Sequence, residues 1–451
     1  MNQKKLYIDT VGCQMNVNDS ERIVTMLQPL GYTQTSRRHE AKLILFNTCT
    51  VRAGAEECLL QNIANLKNLK RKKPGTLIGV AGCVAQQMGE ELLQKFPWVD
   101  LVFGTHNLHL VPEMVRDAEA GRRRAETQFL DSGERLDLFP PIEGRKRVSA
   151  FVTVMQGCDN FCAYCIVPYV RGREISRRYA DILDEVHELA EQGVKEVVLL
   201  GQNVNSYGLK GEQQPPFAEL VRAVAAVSGI ERLRFVTSHP KDMSDDLIAC
   251  FADLPKLCGS LHLPAQAGNN RILQAMNRGY SREHYLETIY KLRQARPEIK
   301  ITGDMIVGFP GETEAEFEET LSMMESVNYF DLFSFVYSPR PGTKAADLKD
   351  DLAKEVKLAR LDRLQKLQAV HSRIHNEAYV GSIQQVLVEG LAKRHGQVSG
   401  RCDSGRIVNL AGSPALIGTL VDVKILEGYA NSLLGELVNY VPASSLQTKH
   451  G

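Results

Sequence analysis

Six cysteines of this 451-residue chain have the spacing or the surroundings of metal ligands. Three of them, called the loop triad below, lie in the run Gly157-Cys158-Asp159-Asn160-Phe161-Cys162-Ala163-Tyr164-Cys165. The others, called the strand-end triad, are Cys13, Cys49 and Cys83, which lie far apart in the chain. Because an iron–sulfur cluster takes four thiolates, three in one run leave one iron free to bind a small molecule. The loop triad therefore predicts a reactive iron–sulfur centre.

Two other kinds of metal site compete with this interpretation of the loop triad. A structural zinc site would need a histidine beside the three cysteines, and no histidine lies near the motif. A ferredoxin-type electron carrier would need a fourth cysteine followed by proline, and none follows Cys165 in the run. The open cluster is favoured, and zinc is the alternative.

The positive and negative charges of the chain balance, with 54 Lys and Arg against 54 Asp and Glu. RNA binding would therefore depend on local basic patches such as Lys70-Arg71-Lys72-Lys73 and Arg122-Arg123-Arg124. The sequence shows neither a signal-peptide pattern nor the roughly 18 apolar residues of a membrane span. We therefore expect a cytoplasmic protein without a membrane partner. In that reducing compartment, clustered cysteines hold metal more often than they form disulfides.

The first 125 residues alternate short apolar runs with amphipathic stretches, which predicts an N-terminal parallel α/β domain over 1–125. The runs KLYIDT, KLILFNT and TLIGVAG are interpreted as successive strands, and each member of the strand-end triad follows one of them. Ligand sites of parallel sheets lie at the carboxyl ends of the strands, so the three thiols are expected to converge there. Three unrelated buried cysteines are the alternative.

The middle of the chain repeats the alternation of strands and helices. Residues 126–148, with Pro140-Pro141 and Gly144, break the periodicity and are interpreted as a linker. Residues 149–378 then contain six predicted strands with intervening helices, which indicates an α/β fold with a central partial (β/α)6 barrel. The working face of such a barrel lies at the carboxyl ends of its strands. The loop triad follows the first of these strands.

Residues 379–446 consist of short alternating runs separated by glycines, which predicts a small antiparallel β-barrel at the C-terminus. Such barrels often bind nucleic acid. Lys393, Arg394, Arg401 and Arg406 are its candidate phosphate contacts. A structural cap or an oligomerisation module is the alternative.

Longer motifs surround both triads. They are Gly12-Cys13-Gln14-Met15-Asn16, Asn47-Thr48-Cys49-Thr50-Val51-Arg52, Gly82-Cys83 and Ile166-Val167-Pro168-Tyr169-Val170-Arg171-Gly172-Arg173-Glu174. In these motifs, and over essentially its whole length, the chain resembles the methylthiotransferase family of radical S-adenosylmethionine (SAM) enzymes. Its terminal barrel resembles the TRAM domain of that family. Within the family, the chain is most similar to members that add a methylthio group to carbon 2 of N6-isopentenyl (dimethylallyl) adenosine at position 37 of tRNA.

The resemblance implies two [4Fe–4S] clusters, one on the loop triad that binds SAM and an auxiliary one on the strand-end triad. Reduction would cleave SAM to a 5′-deoxyadenosyl radical, sulfur from the auxiliary cluster would be inserted, and a second SAM would methylate it. The implied partners are the tRNA anticodon loop and an electron donor such as flavodoxin or ferredoxin, and we expect a monomer. Alternatives are a member acting on threonylcarbamoyl-adenosine or a ribosomal-protein aspartate, and a non-enzymatic iron–sulfur RNA-binding sensor.

The residues that would bind SAM are marked less clearly. Gln202 and Asn203 stand where the superfamily usually has Gly-Gly-Glu and are predicted to replace it. Gln266, Asp304 and Gly308 at later strand ends complete the predicted SAM contacts.

Arginines and isolated cysteines complete the candidate residues. Arg171, Arg173 and Arg177 follow the loop triad and are predicted to meet substrate phosphate or the SAM carboxylate. Ion pairs with Glu174 or Glu185 are the alternative for these arginines. Cys58 and Cys250 are expected to be buried helix residues, and Cys258 and Cys402 have no partner at metal spacing.

Overall fold

The chain folds into three regions that follow one another along the sequence. A computed structural model describes residues 4–50, 53–130, 147–210 and 213–438. Most of the predicted linker lies outside these ranges, as do Val51 and Arg52 and the end of the predicted third domain. Within the described ranges, none of the helices combines the length and the apolarity needed to cross a membrane.

The first region is a parallel sheet of six strands between two layers of helices. Its strands are β1 (Lys4–Val11), β2 (Tyr32–Gln34), β3 (Leu43–Thr48), β4 (Leu77–Ala81), β5 (Leu101–Phe103) and β6 (Arg124–Glu126), in the order β2-β1-β3-β4-β5-β6. Its helices are α1 (Gln14–Leu27), α2 (Ala53–Asn65), α3 (Lys67–Lys72), α4 (Cys83–Met88), α5 (Glu90–Lys95) and α6 (Val111–Glu119). Strand β3 is buried along its whole length, as a central parallel strand must be when both faces of the sheet are covered.

The second region is a six-stranded partial barrel with helices outside. Its strands are β7 (Ser149–Thr153), β8 (Met155–Gln156), β9 (Ile175–Ser176), β10 (Glu196–Leu200), β11 (Arg232–Phe235), β12 (Ser260–His262), β13 (Lys300–Val307) and β14 (Asp331–Val336). Its helices are α7 (Val167–Arg171), α8 (Tyr179–Glu191), α9 (Phe217–Ala226), α10 (Asp245–Asp253), α11 (Asn270–Ala275), α12 (Arg282–Ala295), α13 (Glu314–Val327) and α14 (Lys354–Glu377). The short strands β8 and β9 form a separate antiparallel pair.

Two parallel three-stranded sheets make up the barrel wall, in the orders β7-β10-β11 and β12-β13-β14. A backbone bridge between Leu233 and Leu257 joins them, and the Cys258 N–H donates to the Leu233 carbonyl at 2.9 Å. Strands β7 and β14 therefore form the two edges of the barrel. The partial barrel predicted from the sequence is confirmed.

Helix α1 of the first region covers the free edge of β7. The Asn18 side chain donates to the Phe151 carbonyl at 3.3 Å and accepts from the Thr153 hydroxyl at 3.2 Å. Met15 packs against Val198 and Leu200 on the concave face of the barrel. The first region thus satisfies polar groups that an edge strand would otherwise leave unpaired.

The third region is a closed barrel of five strands, β15 (Ile383–Leu391), β16 (Gln397–Cys402), β17 (Ile407–Ala411), β18 (Leu420–Gly428) and β19 (Ser432–Leu437). Its pairs are antiparallel except for β17 and β19, which are parallel. The expected small β-barrel is therefore confirmed. The prediction that all of its strand pairs are antiparallel is wrong for β17 and β19. The parallel pair follows from the order β15-β16-β17-β19-β18, which places β18 between β19 and β15 and closes the barrel.

The turn between β16 and β17 closes the amino-terminal end of the larger barrel. Arg234 donates to the carbonyls of Cys402 and Asp403, both at 2.9 Å. The Asp403 carboxylate in turn accepts from the Gly259 N–H at 2.9 Å and from Arg296 at 3.0 Å. The carboxyl-terminal end, where the loop triad follows β8, remains on the opposite side.

Candidate active site

The strand-end triad lies at the carboxyl edge of three neighbouring strands. Cys13 follows β1 and precedes α1, Cys49 follows β3, and Cys83 is the first residue of α4 after β4. These strands are adjacent in the sheet, because β2 lies outside β1 and does not separate them. The Cys49 side chain forms hydrogen bonds with those of both Cys13 and Cys83.

The surroundings of this triad favour thiolates at two of its members. The hydrogen bond with Cys49 lowers the pKa of Cys13 to about 6, against burial and with help from the charge of Arg171. The same partner lowers the pKa of Cys83 to about 7. The hydrogen bonds with its two neighbours raise the pKa of Cys49. Thiolates are the form in which cysteine binds metal.

The residues beside the strand-end triad lock its loops together. The Asn47 amide donates to the Asn16 carbonyl at 2.8 Å, and the Asn16 amide donates to Asn47 Oδ1 at 3.0 Å. A side chain at Gly12 would come within 2.8 Å of the Cys49 Cβ atom. Gly82 has a φ of +87° and lies against Asn47. These motif residues therefore hold the three cysteine-bearing loops close together.

The loop triad is held by backbone hydrogen bonds and by two left-handed residues. The Cys158 N–H donates to the Gly172 carbonyl at 3.2 Å, and the Cys165 N–H donates to the Cys162 carbonyl at 2.9 Å. Gly157 has a φ of +83° and Phe161 a φ of +45°. The strained conformation of Phe161 is held by Asn277, whose amide donates to the Phe161 carbonyl at 3.1 Å. Burial raises the pKa of both Cys158 and Cys165 to about 12.

A buried arginine that sequence reasoning missed contacts the loop triad directly. Arg278 is 4% exposed, and its guanidinium donates to Cys162 Sγ at 3.3 Å. It also donates to the Pro264 carbonyl at 2.8 Å and to the Tyr280 hydroxyl at 3.0 Å. More than 100 residues separate it from the triad, so no local pattern indicates the contact. The arginine places a permanent positive charge beside the sulfur of a predicted cluster ligand.

Helix α7 connects the two triads. It starts two residues after Cys165, and Ile166 and Val170 pack against Cys83 of the strand-end triad. The Arg171 guanidinium donates to the Asp19 carboxylate at 2.9 Å, and the Thr105 hydroxyl donates to the Val170 carbonyl at 2.6 Å. The two groups of cysteines thus lie side by side across the interface of the first and second regions.

The donor sets are of the type that iron–sulfur clusters take. Across residues 4–50, 53–130, 147–210 and 213–438, no three His, Cys, Asp or Glu side chains are arranged to hold one metal ion. Each thiolate of a [4Fe–4S] cluster binds a different iron, so its ligands need not converge on a single point. Both triads consist of thiols alone.

Polar atoms without a protein partner lie at the carboxyl ends of β10 and β11. Within the described residues, these buried atoms accept or donate no hydrogen bond: Gln202 Nε2, Asn203 Oδ1, Ser238 Oγ and His239 Nε2. The two loops are tied together, since the Val204 N–H donates to the Thr237 carbonyl at 3.1 Å. Buried polar atoms nearly always have partners. This part of the barrel therefore fits a polar ligand. The side-chain oxygen Oε1 of Gln202 accepts a hydrogen bond from the Gly157 N–H at 2.5 Å, which anchors it beside the loop triad.

Comparisons with known proteins agree with this arrangement. The family models that match are uncharacterized protein family UPF0004 over residues 5–104, the radical SAM superfamily over 152–324 and the TRAM domain over 377–438. The tRNA-2-methylthio-N(6)-dimethylallyladenosine synthase of Trichlorobacter lovleyi is 93% identical over 97% of the chain and the relative's whole length. The enzyme of the same name from Pelobacter propionicus is 62% identical, with the same coverage.

The chain belongs to the tRNA-2-methylthio-N(6)-dimethylallyladenosine synthase family. The family resemblance, the enzymatic function and the radical SAM class expected from the sequence are thereby confirmed. Membership of the radical SAM superfamily implies SAM and a [4Fe–4S] cluster.

Solved structures with low sequence identity share the fold. The radical SAM methyltransferase TsrM from Kitasatospora setae is 14% identical, with a TM-score of 0.56 over 77% of this chain and 74% of its own. The cobalamin-dependent SAM radical enzyme OxsB is 10% identical, with a TM-score of 0.51 over 81% of this chain and 56% of its own.

The remaining predicted SAM residues occupy the later strands of this synthase-family barrel. Gln266 has a φ of +76° and forms backbone hydrogen bonds with Asp304 and Ile306 of β13. Asp304 lies within β13, not after it, and its carboxylate is 3.5 Å from His262 Nε2. Gly308 packs against the side chain of Lys357, so contact within the protein already accounts for this glycine.

The three arginines after the loop triad differ in their surroundings. Arg171 is buried against Asp19, and Arg177 forms an ion pair with Glu185, which was the alternative considered for it. Arg173 is exposed and pairs with Asp159 at 2.7 Å.

The basic residues of the terminal barrel also differ in their exposure and ion pairs. Lys393 and Arg394 are exposed in the turn between β15 and β16. Arg401 is exposed and pairs with Glu389 at 3.2 Å. Arg406 is buried, 3.0 Å from Asp331, and holds the two barrels together.

One cysteine expectation is wrong. Cys58 is exposed on α2, because its position lies on the outer face of that helix, where its sulfur accepts a hydrogen bond from the Asn62 amide at 3.6 Å. Cys250 is buried as expected. Cys258 and Cys402 are buried too, although no burial was predicted for them.

Proposed function

We propose that this chain adds a methylthio group to carbon 2 of N6-isopentenyladenosine at position 37 of tRNA. The observation that carries the proposal is the packing of Cys83 against Ile166, which directly follows Cys165. This contact puts the two triads next to each other. A reaction that replaces an unreactive C–H bond by C–S needs both a radical source and a sulfur source near one atom. The names of the relatives support the choice of substrate.

The loop triad would hold a [4Fe–4S] cluster that binds SAM, and the strand-end triad would hold the second [4Fe–4S] cluster. When bound, these groups would supply a carbon-centred radical, the inserted sulfur and the methyl group. The protein's own residues would bind and orient SAM. Gln202, Asn203, Ser238 and His239 offer the unpaired polar atoms that would receive the SAM amino acid and ribose groups. Gln266, Asp304 and Gly308 stay predicted contacts at the far side of the barrel.

Two sets of residues would contact the tRNA, one far from the reacting base and one near it. Lys393, Arg394 and Arg401 are exposed on the terminal barrel and would contact phosphates away from it. Arg173, exposed beside the loop triad, would contact the RNA near it. We assign Arg177 and Arg406 to the stability of the fold, because their ion pairs with Glu185 and Asp331 already occupy them. We assign Arg171 to the strand-end triad, because its charge lowers the pKa of Cys13 and Cys83.

A protein electron donor of the flavodoxin or ferredoxin type would reduce the cluster. The monomeric state, the cytoplasmic location and the domain limits 1–125, 149–378 and 379–446 stay predictions.

The test is an anaerobic assay of the reconstituted enzyme with an isopentenylated anticodon stem-loop. Wild type is expected to form 5′-deoxyadenosine and the 2-methylthio nucleoside, both measured by mass spectrometry. Cys162→Ala should abolish both products. Cys49→Ala should remove about half of the iron, keep SAM cleavage and abolish methylthiolation.

Cys58→Ser is the matched control, because Cys58 is an exposed cysteine outside both triads. Its products should equal those of wild type. Methylthio product from Cys49→Ala would overturn the role of the strand-end triad. Product from threonylcarbamoyl RNA or a ribosomal peptide, with none from the isopentenylated RNA, would overturn the substrate.

A further inference from the structure

The turn after β11 brings two opposite charges to the working face of the larger barrel. Lys241 and Asp242 lie in a single turn of 3-10 helix, Pro240–Asp242, that follows the carboxyl end of this strand. The Lys241 ammonium nitrogen is 3.9 Å from the Asp242 carboxylate, which is beyond hydrogen-bond distance. In the part of the chain that the structure describes, this ammonium group donates no hydrogen bond. Its charge is therefore available to a ligand.

Hydrogen bonds connect this turn to the loop triad. The Asp242 carboxylate accepts from the Asn203 amide at 2.7 Å. The residue before Asn203 is Gln202, whose side-chain oxygen accepts from the Gly157 N–H at 2.5 Å. Gly157 directly precedes Cys158. A continuous series of contacts thus leads from the acidic residue of the turn to the first cysteine of the triad.

Lys241 itself lies near the loop triad. Its side chain passes Gly279, where an added Cβ atom would be 3.6 Å from the lysine Cδ atom. The residue before Gly279 is Arg278, which contacts Cys162 Sγ. Burial raises the pKa of Cys158, and the positive charge of Lys241 opposes that rise. The lysine is therefore a second cation beside the three cysteines, and unlike Arg278 it is exposed.

The unpaired groups of this site differ in the kind of partner that they require. Asn203 is 2% exposed, and because its Nδ2 donates to Asp242, the atom that lacks a partner within the described residues is Oδ1, which can only accept. An amino group supplies N–H donors for this oxygen and for the neighbouring carboxylate. Lys241 can only donate, so a carboxylate is its natural partner. An amino acid carries both of these groups on one carbon.

The imidazole of His239 adds a donor to the same site. Its Nδ1 accepts from the Lys241 backbone N–H at 3.3 Å. Burial, together with the charges of Arg278 and Lys241, lowers the pKa of His239. The ring is therefore neutral, and its single proton is on Nε2, which has no partner among the described residues. This N–H can donate to an oxygen of the ligand.

We propose that Lys241 binds the carboxylate of SAM and that Asn203 and Asp242 receive its amino group. The inference rests on the SAM site of the proposed function, within which it places the amino-acid end of the ligand. It transfers the carboxylate contact from the arginines that follow the loop triad, because each of them already pairs with a carboxylate of the protein. A cation and an anion from one turn thus orient the two groups of one ligand carbon.

The test compares two ligands of the reconstituted enzyme, SAM and decarboxylated SAM, which keeps the amino group. Dissociation constants are measured anaerobically by equilibrium dialysis, and wild type should bind SAM more tightly. Lys241→Met should weaken SAM about tenfold, since one hydrogen bond between charged groups is lost, and should leave decarboxylated SAM unchanged. Lys241→Arg, which keeps the charge, should retain the preference for SAM. Asp242→Asn should weaken both ligands equally, because both carry the amino group.

Lys291→Met is the matched control, because this side chain on α12 is 44% exposed, against 38% for Lys241, and pairs with Asp245 outside the barrel. It should change neither dissociation constant. The two ligands also separate loss of the carboxylate contact from damage to the site, since damage weakens both.

Two results would overturn the inference: an unchanged affinity of Lys241→Met for SAM, or an equal loss of affinity for both ligands. Weakening of SAM alone by Asp242→Asn would overturn the assignment of the amino group. If wild type forms no methylthio product while Lys241→Met loses the preference for SAM, only the proposed function fails. If product forms and the preference is the same in Lys241→Met as in wild type, only this inference fails.

Discussion

Single residues tune the two groups of cysteines in different ways. At the loop triad, burial raises the pKa of Cys158 and of Cys165, and Arg278 supplies the nearby positive charge. At the strand-end triad, hydrogen bonds among the three thiols, with the charge of Arg171 behind them, lower the pKa of Cys13 and Cys83. Each centre thus has its own buried arginine. The two arginines have different partners: Arg278 contacts Cys162, and Arg171 pairs with Asp19.

Replacement of Arg278 by Met should lower the reduction potential of the loop-triad cluster. The reduced cluster carries one more negative charge, and the guanidinium 3.3 Å from Cys162 Sγ stabilises that charge. We expect a shift of about −60 mV, which is tenfold in a one-electron equilibrium. A redox titration followed by electron paramagnetic resonance measures it. Arg222→Met, at an exposed helix position, is the control, and an unchanged midpoint in Arg278→Met would contradict the assignment.

In the iron-free protein, Cys13 should be the fastest of the six triad cysteines to react with iodoacetamide at pH 7. It is exposed, and its pKa of about 6 makes it mostly thiolate at that pH, whereas a pKa of about 12 keeps Cys158 protonated. Because its pKa lies below neutrality, the rate should fall as the pH drops through 6. Peptide mass spectrometry of timed samples gives the rates. Faster labelling of Cys158 than of Cys13 would contradict the expected order.

At the scale of elements, the loop after β8 depends on one backbone conformation. Gly157 and Gly121 both have a φ of +83°, but only at Gly157 would a Cβ atom overlap another group, the Arg173 carbonyl. Gly121→Ala should therefore cost only the backbone strain, about 1 kcal/mol. Gly157→Ala should cost more than about 3 kcal/mol and lose the loop-triad iron. Thermal unfolding and iron analysis compare the two, and equal losses would refute the steric account.

In the first region, the strands that sequence patterns predicted are those long enough to show a period. Strands β1, β3 and β4 have five to eight residues and were expected, whereas β2, β5 and β6 have three each and were not. Local motifs likewise indicated both triads. They did not indicate Arg278 or His239, because these contacts join segments that are distant in the chain. One of the six strands predicted for the middle region was the run ERLRFVT. The polar residues that follow it were the one available signal for Ser238 and His239.

At the scale of the whole molecule, the terminal barrel serves two purposes. Its turn from Cys402 to Arg406 closes one end of the larger barrel, and its turn with Lys393 and Arg394 is exposed. Balanced total charge makes such a local patch the basis of any attraction to RNA.

The double variant Lys393→Ala, Arg394→Ala should weaken tRNA binding without a change in cluster content. Each lost phosphate contact lowers the slope of log K against log salt concentration by about one, so we expect a decrease of about two. Filter binding at several salt concentrations measures the slope. Lys366→Ala, an exposed lysine on α14, is the control. An unchanged slope in the double variant would place the RNA elsewhere.

The length of the segment through helix α7 determines how far apart the two centres lie. Only the short run from Ile166 to Arg171 connects Cys165 with the residues that contact Cys83 and Asp19. A helix turns by about 100° for each residue, so one inserted residue would rotate Arg171 away from Asp19 while leaving every cysteine in place. The number of residues between Cys165 and Arg171 therefore sets the spacing of the two centres.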